Sequence, residues 1–283
     1  MLPGQPSRTL LVPAVARAAH QLFDAPLILD DPLAVGLVPQ TSCETLLATA
    51  EEHRTEAARL SRSLFAVRSR FAEDRLAAAV SRGVRQYVML GAGIETFPWR
   101  QPDLVKVLRI FFSDHPATLS WAKNVFRERG LAVPANLLFV PCDLEQRQIG
   151  QHLAGAGLAI GLPTFVSILG VLQFLTAQTI DALFAFFASL PAGSEAVFSF
   201  VIPDNELGGL DLNEIRSSMA RGSHMGEPWL TRRRPADMLI HLRGFGYRQI
   251  FHLAPEEAQR RYFSARSDGL VAPLREQLIA VIP

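Results

Sequence analysis

The chain has 283 residues, 49% of them apolar and 19% charged, with a formal net charge of +1. That supplies one large core and no sign of a phosphate-backbone partner. The two cysteines, Cys43 and Cys142, make no disulfide framework and fit a reduced, cytoplasmic setting. The apolar run from Leu10 to Ala16 is broken by Pro13 and followed by Arg17, far short of a membrane span, and no basic region leads into an apolar segment with a cleavage site. A soluble, unprocessed chain with no membrane and no nucleic-acid partner is expected.

In chain order, helical patterns run from Ala14 to Gln21 and from Leu33 to Leu37. The second is entered through Asp30-Asp31-Pro32, a capping carboxylate followed by a proline at the first helical position. Thr41 to Val80 reads as mostly helix. Arg17 reads as a surface helix charge in preference to a residue facing a ligand, and Arg68 and Arg70 stand just before the long helix that feeds the first strand.

Tyr87 to Thr96 is the stretch on which the reading turns. Tyr-Val-Met-Leu suits a strand covered on both faces of a parallel sheet, and it ends abruptly at Gly91-Ala92-Gly93. Glycines at these positions permit positive φ and let a ligand come close to the backbone. An ordinary strand-to-helix turn has the same look. A second strand, Val107 to Phe112, leads to Ser113-Asp114, and Asp114 lies 21 residues after Gly93, where a carboxylate in a nucleotide-binding α/β fold meets a ribose. A third strand, Leu137 to Val140, leads to Pro141-Cys142-Asp143-Leu144. Three strand ends thus deliver a turn or a carboxylate to one edge of the sheet, where open parallel sheets bind ligands.

A dinucleotide fingerprint needs a third glycine where this chain has Thr96, and Pro98 removes a donor that a phosphate cradle would use. S-adenosylmethionine carries no phosphate. It needs acceptors for its ribose and adenine amine and a partner for its methionine end, which this sequence supplies better. A nicotinamide oxidoreductase is disfavoured on the same ground.

Thr164 to Leu169 reads as a fourth strand, and Thr176 as the cap of a helix from Ala177 to Leu190 whose Phe184, Phe186 and Phe187 belong to the core. Ala196 to Ile202 is the fifth strand, followed by a polar helical insert to about Pro228. Arg232-Arg-Arg234 reads as a solvated loop at a helix start. Strands at Gln249 to Leu253 and Glu276 to Ile282 complete a set of seven.

The segments Arg68-Ser-Arg-Phe-Ala-Glu-Asp, Gln86-Tyr-Val-Met-Leu-Gly-Ala-Gly, Asp114-His-Pro-Ala-Thr, Phe139-Val-Pro-Cys-Asp-Leu-Glu and Pro163-Thr-Phe-Val-Ser-Ile-Leu-Gly, in this order, resemble the bacterial branch of the leucine carboxyl methyltransferase family, class I S-adenosylmethionine-dependent O-methyltransferases. The resemblance implies an α/β, Rossmann-like fold: a seven-stranded, mostly parallel sheet with helices on both faces and a helical lid. It implies one domain over residues 1–283, with lid regions at 1–80 and 204–232. It places Arg68 on the cofactor's carboxylate, with Arg70 as its neighbour, Gly91, Ala92 and Gly93 against the cofactor, and Asp114 on the ribose. Asp143 and Leu144 fall on the adenine, with a helix-capping aspartate as the alternative. His115 is implied as a structural hydrogen-bonder beside the cofactor, and Leu169 as a further cofactor contact. Met219, His224, Met225 and Trp229 become substrate-pocket candidates, with a surface helix as the alternative.

The chain departs from the family at Glu95, where aspartate is usual, at Ser113, where glutamate is common, and at Ile168, Leu169 and Phe174, where relatives carry tryptophan, glutamate or tyrosine. A reshaped, more apolar pocket follows, along with a case against a protein C-terminal leucine as substrate. The expected activity is methylation of a small-molecule carboxylate or hydroxyl, of the kind found in secondary metabolism, with S-adenosyl-L-methionine as cofactor and no metal. A binding or scaffolding protein that kept the fold is the alternative. A carboxylate acceptor is already ionised and needs no general base.

Overall fold

A computed structural model describes residues 5–38, 44, 48, 51–264 and 266–283. The strands are β1 (Gln86–Leu90), β2 (Arg109–Asp114), β3 (Leu137–Pro141), β4 (Thr164–Ile168), β5 (Glu195–Val201), β6 (Gln249–Leu253) and β7 (Glu276–Ile282). They form one seven-stranded sheet in the order β3-β2-β1-β4-β5-β7-β6. β1 to β5 run parallel, and β7 is antiparallel to both of its neighbours.

The larger helices are α1 (Leu11–Phe23), α2 (Leu33–Leu37), α3 (Glu56–Ser81), α4 (Pro116–Glu128), α5 (Ile149–Gly155), α6 (Ala177–Ala188), α7 (Gly209–His224) and α8 (Pro235–Arg243). Alternate residues of a strand point to opposite faces, so each parallel strand feeds two cores. Tyr87, Met89, Phe112, Phe165 and Val197 pack into one apolar cluster with α1 and α3. Val88, Leu90, Phe111, Val166 and Phe198 pack into the other with α5 and α6. Both faces are covered, which is why these strands read as unbroken apolar runs.

All seven expected strands are present, with ends shifted by a residue or two at most positions. Thr176 caps α6 as expected, accepting from Thr179 N at 3.4 Å, and Phe184 and Phe187 are buried while Phe186 is half-buried. Three readings need correction. Arg68 and Arg70 lie inside α3, not ahead of it, because Thr55 caps that helix by accepting from Ala58 N at 3.3 Å. Asp31 is no helix cap: its side chain turns inward and is fully buried. Arg17 is no surface charge either, being 5% exposed and bonded to Asp31. Part of the expected helix from Thr41, and Cys43 with it, lies outside the described residues.

Those last two corrections have one cause, a buried ionic network beneath the β1 turn. Arg17 donates through Nε to Asp31 Oδ2 at 3.1 Å and through Nη2 to the Ile94 carbonyl at 3.0 Å. Thr96 Oγ1 donates to the same Asp31 oxygen at 2.8 Å. Arg100 donates to Thr96 Oγ1 at 3.0 Å and pairs with Glu73 of α3. Glu95 accepts from Thr96 N at 2.8 Å and stands 3.5 Å from Arg17. Burial pushes the Asp31 and Glu73 carboxyls up; at Glu95 burial is outweighed by Arg17, Arg100 and two backbone donors, which hold it below the usual range.

Removing one partner of such a network leaves a buried charge without compensation. Asp31→Ala is expected to lower stability by about 3 to 5 kcal/mol, read by urea unfolding.

Candidate functional site

The C-terminal ends of the parallel strands open into one cavity of about 620 Å³, within the roughly 300 to 1,000 Å³ usual for small-ligand sites. The β1 turn forms part of its floor. Gly91 has φ of +64° and Gly93 of +56°. A Cβ on Gly91 would lie 2.4 Å from Val171 Cγ2, so the close approach that excludes a side chain here is made by the chain itself.

Asp114, at the end of β2, reaches back to this turn. Its Oδ2 accepts from Gly93 N at 2.7 Å and its Oδ1 from His115 N at 2.7 Å. An ionised carboxylate has about four acceptor sites, so two remain for a ligand. Burial pushes the Asp114 carboxyl up to about 6, the two backbone bonds and His115 offsetting part of that rise. His115 caps α4, its Nδ1 accepting from Ala117 N at 3.3 Å, so it is the structural hydrogen-bonder that the sequence suggested.

Asp143, after β3, accepts from Glu145 N at 3.1 Å through Oδ1. The capping alternative is therefore realised, and among the described residues Oδ2 has no hydrogen-bond partner. Cys142 beside it is buried, its thiol pushed up to about 11 by burial and by Asp143.

Arg68 enters from α3 over the end of β4. Its Nη1 donates to Glu276 Oε1 at 3.2 Å, and its guanidinium carbon lies 4.8 Å from the centre of the Phe65 ring. Gly170 makes room for it, since a Cβ there would lie 2.2 Å from Nη1. Arg70 points elsewhere, pairing with Asp74 at 2.8 Å and donating to the Ile28 carbonyl.

The cavity thus brings together Arg68, Gly91, Ala92, Gly93, Asp114, His115, Asp143, Leu144 and Leu169, with Met225 and Trp229 opposite. His224 is exposed and does not line it, because it sits on the outer side of the last turn of α7. Met219 does not line it either, its sulfur accepting from Arg232 Nη1 at 3.1 Å. Arg232 and Arg234 pair with Asp204 and Glu206 in the loop before α8.

Ser7, Thr9, Gln173, Glu227, Arg275 and Glu276 also line the cavity without having been singled out in the sequence, and Arg17 lines it against its preferred reading as a surface charge. Only Arg17 carried a signal, as a lone charge in an apolar helix. Among the described residues, four buried polar atoms on the cavity wall lack a hydrogen-bond partner: Arg68 Nε, Ser113 Oγ, Gln173 Oε1 and Arg275 Nη1. Buried polar atoms left in that state cost free energy, so the wall is built for a polar guest. The described residues hold no group of three or more His, Cys, Asp and Glu able to bind a metal, and no helix long and apolar enough to cross a membrane.

Residues 10–188 match the family described as leucine carboxyl methyltransferase. A Bacillus subtilis protein named "Putative S-adenosyl-L-methionine-dependent methyltransferase YktD" is 29% identical, with 96% of each chain covered. A Mycolicibacterium paratuberculosis protein named "Putative S-adenosyl-L-methionine-dependent methyltransferase" is 32% identical over 70% of this chain and 65% of its own. Among solved structures, a "putative methyltransferase" from Thermobifida fusca superposes with a TM-score of 0.59 at 13% identity, covering 99% of this chain and 96% of that one. The fold expected from the sequence, a Rossmann-like methyltransferase sheet, is the one observed.

Asp114 makes a pH prediction. Below its ordinary value of 3.8 the group is protonated in both folded and unfolded chains. As pH rises from 3.8 to about 6 the unfolded chain ionises first, so the ligand-free fold loses stability across that window. The loss amounts to about 3 kcal/mol, roughly two pH units at about 1.4 kcal/mol each. Denaturation at stepped pH should show this slope in the native chain and not in Asp114→Asn.

Proposed function

The chain belongs to the leucine carboxyl methyltransferase family, and from that premise we propose that it is an S-adenosylmethionine-dependent O-methyltransferase acting on a small-molecule carboxylate. The observation that carries this reading is the convergence of the Gly91–Gly93 turn, Asp114 and Asp143 on one cavity from three successive strand ends. In this reading the two open acceptor sites of Asp114 take the ribose hydroxyls. The free oxygen of Asp143 takes the adenine amine, with Leu144 against the ring. Arg68, whose Nε is unmet and which Glu276 and Gly170 hold in place, takes the methionine carboxylate. A guanidinium suits that partner because its donors match a carboxylate in fork geometry.

The bound cofactor supplies an electrophilic sulfonium methyl. The chain supplies alignment, worth about 7 to 11 kcal/mol of the barrier when the reacting atoms are held in a near-attack pose. It also excludes water. In this reading Leu10, Leu64 and Phe65 from the N-terminal part of the chain, with Met225 and Trp229 from the segment after β5, keep solvent from the cavity that they line.

A carboxylate acceptor is favoured over a hydroxyl by the state of the groups on the wall. His115 is the histidine lining the cavity, and its Nδ1 is occupied as a helix cap. The Tyr87 hydroxyl is bonded to Ser167 at 2.9 Å, and burial pushes its acidity further from neutrality. Neither is poised to take a proton from an alcohol.

Incubation with methyl-labelled cofactor and pooled carboxylic acids, phenols and alcohols should yield a labelled ester that mild base cleaves. A base-stable product would reject the carboxylate, and failure to bind S-adenosylhomocysteine in calorimetry would reject the methyltransferase. Gly170→Ala, by pushing Arg68 aside, should weaken S-adenosylhomocysteine binding by roughly tenfold or more, the loss of a charge-assisted hydrogen bond. Affinity for that ligand should also rise with pH through about 6 as Asp114 ionises, then level off.

A further inference from the structure

The residues ahead of α1 form part of the cavity wall, and a single carboxylate fastens them there. Glu227 lies just beyond the C-terminal end of α7 and is 5% exposed. Its Oε2 accepts from Ser7 Oγ at 2.9 Å, Thr9 Oγ1 at 2.6 Å and Thr9 N at 3.3 Å. Its Oε1 accepts from Arg8 N at 2.8 Å. Four donors from three consecutive residues thus converge on one side chain.

Glu227 is itself fixed. Its backbone N donates to the Gly222 carbonyl at 2.8 Å, and its own carbonyl packs so close to Gly222 that a Cβ there would lie 2.7 Å away. On the other side of the strap, Ser7 N donates to Thr118 Oγ1 at 3.1 Å, in the first turn of α4, four residues beyond Asp114. Ser7, Thr9, Thr118 and Glu227 all line the cavity with Asp114 and His115. The segment therefore runs from the ribose side of the cavity to the end of α7.

We propose that Glu227 is a positioning residue that latches the Ser7–Thr9 segment across the cavity, so that exchange of the adenosyl ligand requires the latch to release. The inference rests on the reading of this cavity as the S-adenosylmethionine site. Glu227 acts through the strap, by accepting hydrogen bonds, and takes no part in the chemistry.

The test is Glu227→Gln, which keeps the shape but presents an amide nitrogen, itself a donor, to a cluster of donors. S-adenosylhomocysteine dissociation, followed by stopped-flow fluorescence with Trp229 on the cavity wall as a reporter, should become roughly tenfold faster or more. A variant combining Ser7→Ala and Thr9→Val should also dissociate faster. Adding Glu227→Gln to it should give less than the product of the two effects, since both remove the same contact. A purely structural role would lower stability and leave the dissociation rate unmoved.

Trypsin cleavage after the exposed Arg8 gives a readout that needs no ligand, and it should be faster in Glu227→Gln. Dissociation and cleavage rates within twofold of the native chain would overturn the latch. If the native chain bound no S-adenosylhomocysteine, the cofactor reading would fall and the latch with it. Faster cleavage with unchanged dissociation would show that the strap is fastened but does not gate the ligand, and would overturn the proposal alone.

Discussion

The site depends on the buried ionic network under the β1 turn. Gly91 and Gly93 hold backbone conformations that the local sequence permits but does not enforce, and the following residues must be fixed for Asp114 to find Gly93 N where it does. Arg17 binds the carbonyl of Ile94, Glu95 binds the amide of Thr96, and the Thr96 hydroxyl lies between Arg100 and Asp31. Removing charges from water costs several kcal/mol per ion, and only dense pairing offsets it. Here two guanidiniums and three carboxylates share almost every donor and acceptor. Asp31 Oδ1 is left without a hydrogen bond among the described residues and faces Arg100 at 3.8 Å.

A consequence concerns the parts of the chain that can move. The N-terminal helices contribute Arg17 from α1, Asp31 from the loop before α2 and Glu73 from α3 to the network, so opening them would expose or strand buried charges. They act as framework beneath the turn as well as wall. The segment ahead of α1 and the end of α7 are joined to each other mainly by the hydrogen bonds of Glu227, which water can replace at far lower cost. Motion that admits a ligand is thermodynamically cheaper there than in the helices.

The same distinction separates what the sequence revealed from what it hid. The strands were legible because a parallel strand covered on both faces leaves a continuous apolar run, and the ligand edge because each of the first three runs ends in glycine or aspartate. Asp31 has the look of a cap because a carboxylate before a proline usually is one, and no local signal shows that Arg17 and Thr96, distant in sequence, claim it. Arg68 and Glu276 meet across 208 residues and Glu227 meets Thr9 across 218. Such pairs carry no periodicity, and their chemistry becomes visible only when the sheet order sets β7 beside β5 and brings the end of α7 over the first residues.

The replacement of a usual glutamate by Ser113 takes on a meaning that the sequence could not give it. Its hydroxyl is buried on the cavity wall beside Asp114 and has no partner among the described residues. A glutamate there would set a second carboxylate against one already pushed up to about 6 by burial, and like charges in one desolvated site raise each other further. A neutral serine adds no further anion beside Asp114, which already feels the Glu227 carboxylate, and leaves it ionised at neutral pH and able to accept hydrogen bonds from a diol. The serine hydroxyl, donor and acceptor at once, can still bond a hydroxyl that Asp114 does not reach. What the substitution takes from the site in charge it returns in the acidity of the carboxylate that remains.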